Sequence, residues 1–275
     1  MAGMLYLVPT PIGNLGDISQ RCRETLEQAD FIAAEDTRVS LKLLNHLGIR
    51  KSLVSYYEHN KAFKGEKIVE RILAGETCAL VSDAGSPAIS DPGEDLVKLC
   101  HEAGITVCAI PGPCAAITAL SISGQATGRF CFEGFLSTAK KSRREHLESL
   151  VKEQRTMIFY EAPHKLLTTL EDMTAVFGAD RPISLCRELT KLHEEVVRTT
   201  LSEAVVKYTE NAPKGEFVLI VAGAPVEEKE TASEADAAAR VAQLMEEGLS
   251  RKDAVKQTAK ELNLPKNAVY DAALK

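Results

Sequence analysis

Three apolar runs rich in β-branched residues each break into a loop of Gly, Pro and small polar residues. Residues 5–8 run into Pro9-Thr10-Pro11-Ile12-Gly13-Asn14, residues 78–81 into Ser82-Asp83-Ala84-Gly85-Ser86-Pro87, and residues 105–110 into Pro111-Gly112-Pro113-Cys114-Ala115-Ala116. At the carboxyl ends of strands such loops offer backbone N–H and C=O groups to a ligand, which is where open α/β sheets bind. One loop of this kind is ordinary punctuation. Three in the first half of the chain predict a shared cleft lined by main chain, suited to a polar cofactor of moderate size, and so a ligand-binding enzyme.

Other chemistries are excluded by pattern. No loop reads G-x-G-x-x-G or G-x-x-x-x-G-K-[ST], so neither a dinucleotide fingerprint nor a P-loop is present. No H-E-x-x-H, nucleophile elbow or kinase set occurs, and the acidic-plus-glycine loop of the commoner methyltransferase fold is missing. The seven cysteines (Cys22, Cys78, Cys100, Cys108, Cys114, Cys131 and Cys186) contain no C-x-x-C pair and read as reduced thiols packed as small hydrophobes. A net charge of −6 argues against a generally basic nucleic-acid coat, but one local patch stands out. Lys140-Lys141-Ser142-Arg143-Arg144 places four cations in five residues, either a solvated helix start or a phosphate-backbone contact.

The elements that must position these loops follow from periodicity. Hydrophobic residues at 45% and charged residues at 26% describe a soluble globular chain, and no apolar run is long enough to span a bilayer. The first residues lack a signal-peptide pattern, which predicts a cytoplasmic protein. Strands at 5–8, 31–34, 52–56, 78–81 and 105–110 alternate with helices at 17–28, 40–47, 64–73 and 94–103, the βαβ rhythm of a parallel sheet. An apolar helix at 115–123 leads to a second half with strands near 130–135, 156–160, 183–187, 196–200 and 216–222. Helices at 141–152 and from 163 to 177 are less regularly interleaved, so that sheet is predicted to be mixed. Residues 223–234 read as a polar linker, acidic at Glu227, Glu228 and Glu230. Three helices then follow, at 235–247, 250–263 and 266–274.

The order of motifs carries a resemblance. Residues 5–14, Ala34-Glu35-Asp36-Thr37-Arg38, Ser82-Asp83-Ala84-Gly85-Ser86-Pro87-Ala88-Ile89-Ser90-Asp91-Pro92-Gly93 and Ile110-Pro111-Gly112-Pro113 together resemble the tetrapyrrole methylase superfamily. Tyr57-Glu58-His59-Asn60, Phe159-Tyr160-Glu161-Ala162-Pro163-His164-Lys165, Arg187-Glu188-Leu189-Thr190-Lys191 and Gly215-Glu216-Phe217-Val218-Leu219 extend the match. Within the superfamily the likeness is to the branch that methylates a cytidine ribose 2′-hydroxyl of small-subunit ribosomal RNA. It covers residues 4–223 and continues into the helical tail. Any single loop is weak, but the ordered set is specific.

The resemblance implies two α/β domains, 1–114 and 115–224, with S-adenosylmethionine held between them, usually in a homodimer. Carried over by position, Pro9, Ile12 and Gly13 flank the cofactor. Gly85, Ser86, Pro87 and Ile89 meet its methionine and ribose portions, Ala115 and Ala116 make the next contact, and Pro163, Leu189 and Phe217 pack its adenine. Asp83 serves either the cofactor or proton removal. Ser86 stands where cobalamin-pathway relatives have an aspartate, which favours the RNA branch.

Physical chemistry adds roles. A sulfonium methyl is already activated, so transfer needs alignment and desolvation, and no metal is required. A ribose hydroxyl is a very weak acid, so a carboxylate or imidazole beside it assists proton removal. Glu35 and Asp36 are the first candidates, with Arg38 as a phosphate or carboxylate partner. Equally, either acid can cap the following helix or pair with Arg38. His59 and His164 come second.

In the tail (235–275), Ala254, Ala259, Leu262, Leu264, Val269 and Tyr270 match helix-turn-helix spacing. Lys252, Lys256, Lys260 and Lys266 give it a basic side. RNA contact is therefore expected at Lys140, Lys141, Arg143 and Arg144 and at Lys252 and Lys256. Two other readings stay open: methylation of a tetrapyrrole intermediate, and a non-catalytic RNA-binding assembly factor with a vestigial cleft.

Overall fold

In the computed structural model, which describes residues 3–58, 61–225 and 233–274, the first sheet contains five short strands. They are β1 (Met4–Leu7), β2 (Phe31–Ala34), β3 (Ser52–Ser55), β4 (Cys78–Val81) and β5 (Thr106–Ala109), all parallel in the order β3-β2-β4-β1-β5. The crossover helices are α1 (Gln20–Gln28), α2 (Thr37–Leu47), α3 (Lys61–Leu73) and α4 (Glu94–Glu102). Every residue of β2 and β4 is buried, because the sheet is covered on both faces. Phe31, Ala33 and Leu80 point into a core with Ile68 and Ile72 of α3 and Leu96 and Cys100 of α4. Ile32, Ala34 and Val81 point the other way, onto Cys22 and Leu26 of α1 and Leu44 of α2.

Helix α5 (Ala115–Ser123) leads into the second half. There β6 (Phe130–Phe135), α6 (Lys140–Ser149), β7 (Thr156–Glu161), α7 (Pro163–Phe177), β8 (Pro182–Arg187), β9 (Glu195–Thr200), α8 (Leu201–Glu210) and β10 (Phe217–Val221) follow in turn. The sheet order is β6-β7-β10-β8-β9. It is mixed as expected, with β6 and β7 parallel and the remaining pairs antiparallel. One face packs on Leu166, Leu170 and Met173 of α7 and Leu201 and Ala204 of α8, the other on Ala116, Ala119 and Leu120 of α5.

Local chemistry moved two helix starts and added one helix. Ser19 caps α1, and the residues before it form a 3-10 turn at Leu15–Asp17. Helix α2 begins at Thr37, three residues before the expected start, because Asp36 caps it. Helix α8 was missed by periodicity, although its start carries a capping box in which Thr200 and Glu203 satisfy each other's backbone N–H.

The chain separates into two compact units, Met1–Ala224, which holds both sheets, and Pro225–Lys275. The second consists of α9 (Glu234–Glu246), α10 (Arg251–Glu261) and α11 (Lys266–Ala272) around its own core of Ala237, Val241, Leu244, Ala254 and Val269. The acidic positions Glu227, Glu228 and Glu230 lie outside the described residues. Among the described residues no helix is long and apolar enough to cross a membrane.

Candidate active site

The three strand-to-loop breaks are tied to one another. Thr10 and Gly85 exchange backbone hydrogen bonds of 2.9 and 3.0 Å, and the Thr10 hydroxyl donates to the Ser82 carbonyl at 3.1 Å. The Ser86 hydroxyl donates to the Pro113 carbonyl at 3.1 Å, joining the second loop to the third. The first and third meet where Gly112 passes Pro9, so closely that an added Cβ would lie 2.7 Å from the proline Cβ. Gly85 adopts φ +86°, and a Cβ there would also press within 3.3 Å of Ile12.

These loops form one wall of a cavity of about 460 Å³ whose other wall is the second sheet. That volume suits a ligand of cofactor size. Ile12, Gly85, Ser86, Ile89 and Ala115 line it from the first side; Phe135, Tyr160, Pro163, Leu189, Phe217 and Val218 line it from the second. Ile89 sits between two left-handed residues, Ala88 (φ 67°) and Ser90 (φ 63°), and Leu189 between Glu188 (φ 50°) and Thr190 (φ 65°). Each such residue costs about 1–3 kcal/mol unless its surroundings hold it. At Leu189 the holding group is Glu188, whose carboxylate accepts from Lys191 at 2.8 Å and from the Glu216 N–H at 3.0 Å. The Tyr160 hydroxyl accepts from the Ala116 N–H at 3.2 Å, and its ring meets Phe132 and Phe135 edge-on.

The cavity has an apolar stretch at Pro163, Leu189 and Phe217, where Glu216 also reaches the lining, and an acidic end. Glu35, Asp83 and Asp91 line the acidic end. Burial, and then the charge of Asp83, push the Glu35 carboxyl above its usual range. Asp91 is raised to about 7, chiefly by burial and then by the charge of Glu35, against a hydrogen bond from Ser82. Glu161 also reaches the wall but is occupied, accepting from the Ala162 N–H at 2.9 Å and the Thr169 hydroxyl at 2.5 Å.

Of the residues expected at a cofactor, Ile12, Asp83, Gly85, Ser86, Ile89, Ala115, Pro163, Leu189 and Phe217 line this cavity. Pro9, Gly13, Pro87 and Ala116 stand behind it. Pro9 packs on Gly112, Gly13 lies against Lys191, and Pro87 and Ala116 are buried. Glu35 is on the wall. Asp36 and Arg38 are off the cavity wall and take up the capping and pairing that the sequence left open beside the catalytic reading. Asp36 caps α2 through the Arg38 N–H at 2.8 Å and pairs with the Arg38 guanidinium at 2.5 Å. Hydrogen bonds from that guanidinium hold the Asp36 carboxyl down to about 2. His164 is exposed on the first turn of α7, off the cavity wall, and His59 lies outside the described residues.

Sequence reasoning missed Asp91, Phe135 and Tyr160. The first and last stand inside motifs it quoted, but a turn sequence such as Ser-Asp-Pro-Gly gives no sign of which way its carboxylate faces.

The basic patch also needs a correction. Arg143 is buried, donating to Asp172 at 2.8 Å and to the Ser137 and Thr138 carbonyls at 3.2 Å each. Arg144 shares Asp172 at 3.0 Å but remains half exposed, while Lys140 and Lys141 face solvent. Lys252 and Lys256 lie exposed on one face of α10, and neither pairs with a carboxylate among the described residues.

Comparison with known proteins bears on this site. Residues 4–205 match the family described as Tetrapyrrole (Corrin/Porphyrin) Methylases, and residues 231–275 match the RsmI C-terminal HTH domain. Among similar proteins, one from Synechocystis sp. is 50% identical over 272 residues, covering 99% of this chain and 98% of its own. One from Haemophilus influenzae is 48% identical over 276 residues, covering 100% and 97%. One from Bacillus subtilis is 47% identical over 274 residues, covering 98% and 94%. All three are called ribosomal RNA small subunit methyltransferase I. Similar solved structures include a diphthine synthase at TM-score 0.62 and 14% identity, covering 80% of this chain and 90% of that one. A cobalt precorrin-4 methyltransferase aligns at TM-score 0.58 and 17% identity, covering 79% and 94%. At those identities the likeness speaks for the fold.

Proposed function

The chain belongs to the tetrapyrrole (corrin/porphyrin) methylases, and on that premise we propose that it uses S-adenosylmethionine to methylate a cytidine ribose 2′-hydroxyl in small-subunit ribosomal RNA. The observation that carries this reading is the full-length similarity to proteins named for methylating that RNA, helical unit included. On this reading it acts in the cytoplasm, as the missing signal-peptide pattern predicts, as a homodimer, as the resemblance implies, and on the assembled small subunit.

The residues present fit the cofactor. The apolar stretch of the cavity, at Pro163, Leu189 and Phe217, suits adenine. The linked loops around Gly85 and Ala115 bring main chain close, and a Cβ at Gly85 would sit 3.3 Å from Ile12. The acidic end suits a cationic sulfur and amino group. When bound, S-adenosylmethionine supplies a methyl group already activated by its positive sulfur.

The protein's own contribution is alignment, exclusion of water and removal of one proton. Ile89, Leu189 and Phe217 exclude water from the cavity. Ser86 and Thr10 keep the three loops in register. The acidic end takes the hydroxyl proton on one of its carboxyls. Together these carboxyls also repel phosphates, so a nucleotide enters by its sugar while its phosphates stay outside on basic side chains.

The test is methyl transfer from labelled S-adenosylmethionine to undermethylated small subunits, with mapping of the labelled atom. Label on a cytidine ribose is expected. Label on a base only, or none from a folded preparation that binds the cofactor, would overturn the reading.

A further inference from the structure

Three carboxyls share the acidic end of the cavity, and their hydrogen bonds divide them. Asp83 accepts from the Asp36 N–H at 3.1 Å, which orients it. Glu35 accepts from the Asp83 N–H in return. Each of these two is therefore anchored to the backbone of the other's loop, locking the ends of β2 and β4 together. Asp91 is held differently. It comes from the turn after Ile89, accepts from the Ser82 hydroxyl, and has no backbone anchor among the groups that act on it. The turn places it on the cavity wall through the left-handed Ala88 and Ser90, with Gly93 closing against Ala88 and Leu80. The groups that face it are Glu35 from β2, Asp83 and Ser82 from the loop after β4, and the Tyr160 phenol from β7.

We infer that Asp91 is the catalytic proton acceptor, and that Glu35 and Asp83 are positioning residues that act through it. The inference rests on the reading of the chain as a ribose 2′-O-methyltransferase. The step balances without a further reagent. The ribose oxygen forms a bond to the methyl carbon, the carbon–sulfur bond breaks with its electron pair passing to sulfur, and the hydroxyl proton goes to an Asp91 carboxylate oxygen. Of the three clustered carboxyls, Asp91 alone has no backbone donor among the groups that act on it. Glu161 and Glu216, also on the lining, are engaged, the first by the Ala162 N–H and Thr169 hydroxyl and the second by Lys191. Its like-charged neighbours make it a better base than a solvent-exposed aspartate, because they favour its protonated form. A base whose proton affinity lies near neutral pH is ionised enough to accept a proton and basic enough to hold it.

The experiment compares wild type, D91N and E35Q by three measurements on the full chain. They are labelled methyl transfer to undermethylated small subunits across pH, calorimetric binding of S-adenosylmethionine, and infrared titration of carboxyl bands without cofactor. Wild-type kcat is expected to rise along a one-proton limb centred near neutral pH. The D91N variant should lose about 10²- to 10⁴-fold in kcat, lose the limb, lack an infrared band titrating near neutrality, and bind cofactor within about threefold of wild type. The E35Q variant should keep the limb but move it to lower pH, since removing a neighbouring negative charge weakens Asp91's hold on its proton. That movement is not expected of a merely structural Glu35, and it decides the matter alone if D91N does not fold.

A D91N variant with near-normal kcat, or with the limb intact, overturns the inference. So does loss of its cofactor binding, which would assign Asp91 to the cofactor, and so does a limb that stays in place in E35Q. Wild type that binds cofactor but labels no ribose would overturn the functional reading itself, a result distinct from all of these.

Discussion

At the scale of single residues, Arg143, Arg144, Asp36 and Arg38 are held by partners within the chain. Arg143 and Arg144 converge on Asp172, whose side chain is 6% exposed. Burial alone would raise the Asp172 carboxyl, but hydrogen bonds and charge from both arginines outweigh it and hold it below its ordinary 3.8. Removing one partner of a buried pair strands the other's charge. Asp172→Ala is therefore expected to lower unfolding free energy by about 3–5 kcal/mol, read by urea denaturation. The sign with pH follows. A carboxyl depressed in the folded state contributes stability above its unfolded value and loses it as pH falls through the folded value. Wild type should thus lose stability more steeply than Asp172→Ala below about pH 4. The inward turn of Arg143 was legible, since it stands four residues before the buried Leu147 and shares its helical face. A run of cations hides that phase. Asp36 gives the complementary prediction: Asp36→Ala should lower the thermal midpoint by loss of a cap, yet leave kcat within about twofold because the side chain is off the cavity. A drop like that expected of a general base would restore Asp36 to the chemistry.

Among the elements, what the sequence made legible was the strand and the break after it. An apolar run covered on both faces has no alternation to mislead, and Gly-Pro loops end it sharply. The loops' mutual bonding was not legible, because Thr10 and Gly85, or Ser86 and Pro113, are distant in the chain and meet only when β1, β4 and β5 lie side by side. The same limit hid Asp91, whose role depends on Glu35 arriving from β2. Helix α8 is a different kind of miss, for its Thr200–Glu203 box was present and a run of alternating valines drew attention to β9 instead. The packing of Pro9 against Gly112 makes the loop cluster testable. Gly112→Ala inserts a methyl into space already filled by Pro9, and overpacking of this kind costs about 1–3 kcal/mol in stability. Because the first and third loops must part to admit it, S-adenosylmethionine binding should weaken by roughly tenfold in calorimetry, about 1.4 kcal/mol. Unchanged affinity would mean that the cofactor does not lean on this junction.

For the whole molecule the difficulty is charge. The chain carries −6 overall and has five carboxyl residues on its cavity lining, while its proposed substrate is a polyanion. Attraction must therefore be local, and basic side chains free of internal partners are where it can act. On the first unit α6 offers Lys140, with Lys141 paired to Glu145 at 3.8 Å and Arg144 partly engaged by Asp172. On the second unit Lys252, Lys256 and Lys260 recur every four residues along α10, while Ala254, Val255 and Ala259 of the same helix fill that unit's core. The helix thus spends its apolar face on folding and presents a row of ammonium groups. Each lysine that neutralises a phosphate releases a counterion and steepens the salt dependence of binding by about one. In the full chain, the double variant Lys252→Ala, Lys256→Ala should bind undermethylated small subunits more weakly at every salt concentration. Its plot of log affinity against log salt should flatten by about two. S-adenosylmethionine affinity should not change, since both lysines lie outside the cavity. Weaker binding with an unaltered salt slope would show that the row supports the helix and not the RNA, leaving the grip to α6.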